Sequence, residues 1–432
     1  MNIAGKTVAD IFEGIRREVH AGRLTAGQVL PPVRELASQL GVNRNTVAAA
    51  YRRLVAAKIA ETQGRNGTVI RSLAGAGEQE GVSPGSPLAD LAGGNPDPAL
   101  LPDPLEALER RGYRPRLYGE PTIDPELEAL ARRCLGPNCR PDYAFTLAHG
   151  AVDAIERLLA AYLVATDKVA VEDPCFLGSI NTLRAAGLEA IGVAVDAEGM
   201  QPDSLEAALA QGVQAVICTP RAHNPTGCST SEARAGELRR ILARYPHVLV
   251  IEDDHFALLA QTPFHSIVPP ETVHWALVRS VSKVFGPDLR LAFVASDEET
   301  ARRLGMRLAP GTTWVSHLLQ TAVRALLESQ TAMDRIRAAG RTYARRRGLL
   351  VTALADEGIQ AMAPCDGLNV WIPITANPDS VVENLAHQGW LVRRGDVFAI
   401  GSPVRALRVT ASGLDAAVSK RFVRELRGCL QE

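Results

Sequence analysis

Apolar residues in the first seventy positions recur at helical spacing. Val8, Ile11, Ile15 and Val19 predict an amphipathic helix from about Thr7 to His20, after which Gly22 and Gly27 break the chain. A second helix begins near Pro32, turns Leu36, Ala37 and Leu40 inward and stops at Gly41. Asn43 or Asn45 can cap a third helix, whose inner face carries Val47, Tyr51, Leu54 and Val55. From Ile59 the period falls to two. Ile59 to Gln63 and Thr68 to Arg71 alternate around Gly64-Arg65-Asn66-Gly67, the pattern of a hairpin. Two short helices joined by Gly41-Val42-Asn43 and followed by a hairpin predict a helix-turn-helix with a small wing over residues 1–71. Arg44, Asn45 and Thr46 open the third helix, where a recognition helix meets base edges and phosphates, and Arg65 stands at the tip of the wing. The alternative is a structural three-helix bundle whose charges are merely solvated.

Residues 72–88 lose all apolar periodicity and are dominated by Gly, Ser, Pro and Glu, which reads as a flexible linker. As a random coil it would span roughly 20–25 Å. Beyond it, in residues 89–432, an irregular lead-in passes Asn95-Pro96-Asp97-Pro98 and Tyr118-Gly119-Glu120-Pro121. Short apolar strands then alternate with helical stretches: Ala144–Leu147, Val169–Val171, Ala190–Val195, Ala215–Cys218, Val248–Ile251, Trp275–Val278 and Leu291–Ala295. That rhythm predicts an α/β domain with a mostly parallel sheet over about 120–305. Long helices and the strands Leu368–Ile374 and Leu407–Thr410 predict a smaller α+β part over about 310–432.

Composition agrees with this organisation: 432 residues, 46% hydrophobic, with 36 glycines, suit a soluble chain of two or three domains. No run of about 18 apolar residues suggests a membrane span, and the start lacks the apolar core of a signal peptide. Seven scattered cysteines, an odd number, form neither a disulfide framework nor a zinc pattern, so reduced thiols in a cytoplasmic protein are expected. The net charge of −1 hides a split: residues 1–75 hold 11 Lys/Arg against 5 Asp/Glu, and the remainder holds 36 against 43. A basic segment with a helix-turn-helix pattern points to double-stranded DNA as its partner.

The candidate chemistry lies in the second part. In Ser280-Val281-Ser282-Lys283, followed by Gly286-Pro287 and Arg290, one lysine sits among hydroxyls with a guanidinium seven positions on. A lysine in a packed site can lose its proton and form a Schiff base with an aldehyde. Hydroxyls and an arginine beside it suit a phosphate. Aldehyde and phosphate on one small molecule suggest pyridoxal 5'-phosphate (PLP). A lysine among serines is usually a solvated loop, but two further segments change the balance. Asp253 follows the apolar strand Val248–Ile251 and can pair with a pyridinium nitrogen. Asn224, in Asn224-Pro225-Thr226-Gly227, offers an amide to a phenolic oxygen. Gly150 and Ala151 open a helix after a strand, where free backbone amides bind phosphate.

In this order these motifs resemble the fold-type I aminotransferases. Leu30-Pro31-Pro32-Val33-Arg34-Glu35-Leu36-Ala37 with Val42-Asn43-Arg44-Asn45-Thr46-Val47 resembles the GntR class of winged-helix regulators. In that class the residues matching Arg34, Arg44, Thr46 and the wing glycine Gly67 contact DNA, and Val33 here replaces a serine. A winged helix, a linker and an aminotransferase-like body together resemble the MocR regulators, a branch of the GntR family. Around Val42–Leu54 the likeness is to the PtsJ-type subgroup, whose regulators act on vitamin B6 salvage genes.

The resemblance implies that Lys283 carries PLP, Asp253 pairs with the pyridine nitrogen and Asn224 contacts the phenolic oxygen. It implies that Ser280, Ser282 and Arg290, with the Gly150 and Ala151 amides, hold the phosphate, and that Phe176 stacks on the ring. Tyr118 would reach the phosphate of the neighbouring subunit in a head-to-tail homodimer, and Arg408 would grip a substrate carboxylate. A salt-bridged surface arginine is the other reading of Arg408. The chain departs from the family pattern at Ala151-Val152-Asp153 (commonly Ser-Gln-Gln), Phe176 and His255 (commonly Tyr), and Ile123 (commonly Gly). His255 alters one contact to the phenolic oxygen. PLP retention is therefore expected and ordinary transamination is not. The expected function is a transcription regulator that senses PLP, a related vitamer or an amine. The alternative is an aminotransferase carrying a DNA-binding arm.

Overall fold

A computed structural model describes residues 3–57, 59–62, 67–70, 77–83 and 85–431. Packing divides the chain into two units, Met1–Gly77 and Glu78–Glu432.

In the first unit the helices α1 (Val8–His20), α2 (Val33–Leu40) and α3 (Arg44–Ala56) precede two short strands, β1 (Ala60–Thr62) and β2 (Thr68–Ile70). Thr7 and Asp10 form a reciprocal capping box at the start of α1. Gly41 ends α2 at φ 63°, a left-handed conformation that glycine adopts without a Cβ clash. Of the two candidate caps for α3 it is Asn43 that acts, its side-chain oxygen accepting from the Asn45 amide at 2.8 Å. Ile11, Ile15, Leu36, Val47, Tyr51 and Leu54 meet in one buried core, and the Tyr51 hydroxyl donates to the Pro31 carbonyl at 2.7 Å. β1 and β2 pair antiparallel, Glu61 opposite Val69. This is a winged helix-turn-helix. Residues 63–66 of the wing, Arg65 among them, lie outside the described residues.

The second unit contains strands β3 (Ala89–Asp90), β4 (Ala144–Ala148), β5 (Lys168–Asp173), β6 (Glu189–Asp196), β7 (Gly199–Met200), β8 (Ala215–Cys218), β9 (Leu249–Asp253), β10 (Trp275–Ser280), β11 (Ala292–Ser296), β12 (Asn369–Pro373), β13 (Trp390–Leu391), β14 (Arg393–Arg394) and β15 (Ala406–Thr410). Eight form one sheet in the order β4-β11-β10-β9-β8-β5-β6-β7. From β10 to β6 the neighbours are parallel, while β11 runs antiparallel to both β10 and β4. β8, β9, β10 and β11 are buried along their whole length. A sheet covered by helices on both faces requires this, and it explains why these strands read as continuous apolar runs. β9 and β10 extend past their apolar runs, so Asp253 and Ser280 are the last residues of their strands.

β12, β15 and β14 form a small antiparallel sheet, and β3 pairs with β13. Leu350, Leu354, Val370, Ile372, Leu407, Val409, Phe422 and Leu426 make the core of this part. Part of the stretch expected as a free linker is held on the same body: Glu78 pairs with Arg393 at 3.0 Å and Glu80 with Arg408 at 2.6 Å. Among the described residues no helix is long and apolar enough to cross a membrane.

Candidate functional site

The carboxyl ends of β8, β9 and β10 carry the predicted chemistry, as they do in parallel α/β sheets generally. β10 ends at Ser280, whose Oγ accepts from the Ser282 amide at 3.1 Å and starts the short helix Ser282–Phe285. Lys283 in that helix is half-buried and donates from Nζ to the Gly94 carbonyl at 2.6 Å. Burial pushes its ammonium pKa down, the Glu80 charge opposes this and the Arg408 charge adds to it; the net shift is downward.

β9 ends in two carboxylates with different fates. Asp254 is wholly buried and accepts from Arg221 at 2.7 and 2.9 Å and from Arg279 at 2.9 Å. Burial would raise its pKa, but the two guanidinium groups hold it below the usual range. Among the described residues Asp253 has no such cation. Its Oδ1 is buried without a hydrogen-bond partner, and burial, then the Asp254 charge, pushes its pKa up to about 7. A buried carboxylate oxygen left open in this way suits a ligand that brings its own N–H and positive charge. Asn224, on the loop after β8, donates to Glu80 at 2.8 Å and accepts from Arg408 at 3.0 Å and Asn369 at 3.2 Å.

The elements of the expected phosphate cup converge through strand register. Ser280 pairs with Ala292, and Ala292 with Ala148. Arg290 precedes Ala292 by two residues and Gly150 follows Ala148 by two. The Arg290 guanidinium packs against Gly150 so closely that a Cβ there would lie 3.2 Å from it, and the φ of +94° also demands glycine. Gly150 caps the helix Ala151–Tyr162, whose first amides are free for an anion. Phe176, half-buried, follows β5 by three residues and caps the helix Leu177–Ala186. These residues fit PLP: an amine, an open acid, an amide and a cup of guanidinium, hydroxyl and backbone N–H.

Two histidines near the strand ends are kept neutral. His255, half-buried, has its pKa drawn to about 4 by burial and then by the Lys283 charge. His223 is buried, bonded through Nδ1 to the Thr226 hydroxyl at 2.7 Å, and drawn to about 3 by burial. Its Nε2 lies 3.6 Å from Glu172, whose carboxyl burial pushes up to about 8. At neutral pH this is a contact between two uncharged groups rather than an ion pair.

Arg408, on β15, is wholly buried, which removes the surface-arginine reading. It bonds Glu80, Asn224 and the Ala92 carbonyl, and its guanidinium lies 5.0 Å from the centre of the Phe398 ring. Tyr118 stands apart from these residues: it is 91% exposed and its ring meets Trp314 edge-on at 5.4 Å. Glu80, Gly94, Asn369 and the Asp254–Arg221–Arg279 network were not anticipated. Of these only the Asp253-Asp254 repeat carried a local signal.

In the first unit Arg34, Arg44 and Asn45 are exposed and Thr46 is half-buried. Among the described residues neither Arg34 nor Arg44 is engaged in an ion pair, so both guanidinium groups are available to phosphate or base edges. Gly67 is exposed at φ +78° beside the wing strand β2.

Residues 7–70 match the gntR family of bacterial regulatory proteins, and residues 87–426 match the class I and II aminotransferases. A winged helix preceding this body defines a class, and the chain belongs to it: the MocR-type regulators, in which a GntR domain is fused to an aminotransferase-like domain. Within that class it is 52% identical over 413 residues to the vitamin B6 salvage pathway transcriptional repressor PtsJ of Salmonella typhimurium, covering 96% of each chain. It is 27% identical to the pyridoxine biosynthesis transcriptional regulator PdxR of Corynebacterium glutamicum, over 88% of this chain and 86% of that one. A kynurenine aminotransferase from Pyrococcus horikoshii shares the fold of the body, with a TM-score of 0.73 at 21% identity over 80% of this chain and 91% of that one.

Proposed function

We propose that the chain is a DNA-binding transcription regulator of vitamin B6 metabolism, whose aminotransferase-like body holds PLP on Lys283 and senses PLP or a related vitamer or amine. The observation that carries this reading is the open Oδ1 of Asp253 at the strand end next to Lys283, in a chain that also presents unpaired Arg34 and Arg44 on a winged helix. Similarity to a repressor of B6 salvage supports the same reading. When bound, the cofactor supplies a carbonyl for the lysine and an electron-poor ring. The chain's residues do the rest. Burial keeps the Lys283 amine easier to deprotonate. Asp253 offers its free oxygen to the ring nitrogen, and Asn224 its amide to the phenolic oxygen. Ser280, Ser282, Arg290 and the Gly150 and Ala151 amides receive the phosphate. Phe176 covers the ring, and His255 stands beside it as a neutral group.

Operator DNA is bound by Arg34, Arg44, Asn45, Thr46 and the wing at Arg65 and Gly67, and the place of action is the cytoplasm. A head-to-tail homodimer brings Tyr118 to the partner's phosphate. The exposure of Tyr118, Leu117 and Leu105 supports a covering partner. The test is a gel shift on the DNA upstream of the gene. The parent should bind, and Arg44→Ala should weaken binding by about 1–3 kcal/mol at fixed salt. Equal affinity would remove Arg44 from the interface. Brisk turnover of amino acids with a 2-oxo acid by the same preparation would favour the aminotransferase reading.

A further inference from the structure

Arg408 and Arg393 stand directly opposite each other on the antiparallel strands β15 and β14. Like charges in that arrangement repel, and Arg408 is wholly buried. Two carboxylates from one short segment answer them: Glu78 lies 3.0 Å from Arg393 and Glu80 lies 2.6 Å from Arg408. The segment Glu78–Gly81 is tied down at further points. The Asn181 side chain donates to the Glu78 carbonyl at 2.7 Å, Arg393 donates to the Gly81 carbonyl at 3.0 Å, and the Gly81 amide donates to the Gly93 carbonyl at 2.9 Å. Glu80 also accepts from Asn224 at 2.8 Å. A carboxylate of the chain itself therefore rests on Arg408 and Asn224, the side chains expected to meet a substrate carboxylate and the cofactor's phenolic oxygen.

The pairing leaves valences over. Glu80 Oε2 and Arg408 Nε are both buried without hydrogen-bond partners. The contact is thus a single bond rather than the two-pronged fork a guanidinium can offer a carboxylate. An incoming carboxylate that satisfied both prongs could take the seat only by displacing Glu80.

We propose that Glu80 is an internal occupant of the Arg408 carboxylate seat, so that Glu78–Gly81 forms a strap selecting for amines and vitamers without a carboxylate and against amino acids and 2-oxo acids. The proposal deepens, and rests on, the reading that the cleft is the PLP site of a regulator. It explains how a body built like an aminotransferase can be closed to amino acids while keeping its lysine. The strap continues in sequence directly into Gly77, the last residue of the DNA-binding unit, so displacing it acts on the one covalent route between the two functions.

The test uses the full chain with 2-methylpropanoate as the carboxylate probe and 2-methylpropanamide as its uncharged counterpart, followed by calorimetry. Glu80→Gln should bind the carboxylate roughly tenfold more tightly than the parent, because a charge-assisted competitor has been removed. The amide should bind both proteins alike, which also checks that the variant is folded. Adding Arg408→Gln should abolish the gain. Independently, hydrogen exchange at the Gly81 amide should be at least tenfold faster in Glu80→Gln. Equal carboxylate affinity in parent and variant, or unchanged exchange at Gly81, would overturn the strap. Neither readout depends on the cofactor. A parent without the visible absorption of lysine-bound PLP would defeat the functional reading and leave the strap to stand or fall on these two measurements.

Discussion

Asp253→Asn separates the stability of the body from its capacity to hold the cofactor. Asp253 is 5% exposed, and its carboxyl is pushed from 3.8 to about 7 by burial and by Asp254. A carboxyl whose pKa is higher folded than unfolded costs stability once the pH passes the unfolded value. The cost grows until the folded value is reached and is constant beyond it. Three units at 1.36 kcal/mol each give a penalty of roughly 2 kcal/mol at pH 5 and roughly 4 kcal/mol at pH 8, as an upper figure before relaxation and water penetration. Asparagine has nearly the same shape and no charge. Without cofactor, Asp253→Asn should therefore be more stable than the parent, with an advantage that widens from pH 5 to pH 8. Glu172 and Glu252 also titrate in this range, near 8 and 7. Glu252 is common to both proteins and cancels in the difference, whereas Glu172, whose carboxyl the Asp253 charge helps to push up, is relieved in the variant and adds to its advantage at the higher pH. With PLP the advantage should shrink. Loss of a charge-assisted bond to the ring nitrogen should weaken cofactor binding by about 1.5–3 kcal/mol, roughly ten- to a hundredfold. The assay is urea denaturation of both proteins at the two pH values, with and without PLP. A pH-independent difference, or a variant that holds PLP as tightly as the parent, would refute the assignment of Asp253.

Two further outcomes follow from the site and its surroundings. The purified protein should take up PLP with a visible absorption band that Lys283→Ala abolishes; an unchanged spectrum in the variant would remove Lys283 from the cofactor site. Sedimentation at micromolar concentration should give a dimer, with Tyr118→Ala weakening phosphate-dependent PLP retention, whereas a monomer with full PLP affinity would contradict a shared site.

Much of this was legible because parallel strands announce themselves. β8 is an unbroken apolar run and β9 and β10 begin as such runs, so the polar residues that follow had to lie at the carboxyl edge, where ligands bind. Asn224 and Asp253 were proposed that way, and Lys283 from the hydroxyls and the arginine around it. The helix-turn-helix was readable from its 3.6 period and the glycine at position 41, although only the geometry decided for Asn43 over Asn45 as the cap. Arg408 sits between Leu407 and Val409 in a strand, and alternation alone leaves such a residue facing either solvent or a cleft; its burial depends on partners far away in sequence. Glu80 was hidden for the same reason. Its neighbours read as linker, and its bond to Arg408 spans 328 positions, so no local pattern marks it. The role proposed for Tyr118 belongs to a second subunit, and a single chain carries no periodic sign of that.

The central claim is that cofactor binding at Lys283 alters the grip on DNA. A ligand shifts a regulator only through unequal affinity for its conformations, and such couplings usually amount to about 1–3 kcal/mol. The direct measurement is a titration of upstream DNA with cofactor-free protein, PLP-loaded protein and Lys283→Ala in the presence of PLP. The account predicts that PLP changes the affinity of the parent roughly 5- to 150-fold and leaves Lys283→Ala at the cofactor-free value. Three coincident curves would contradict it.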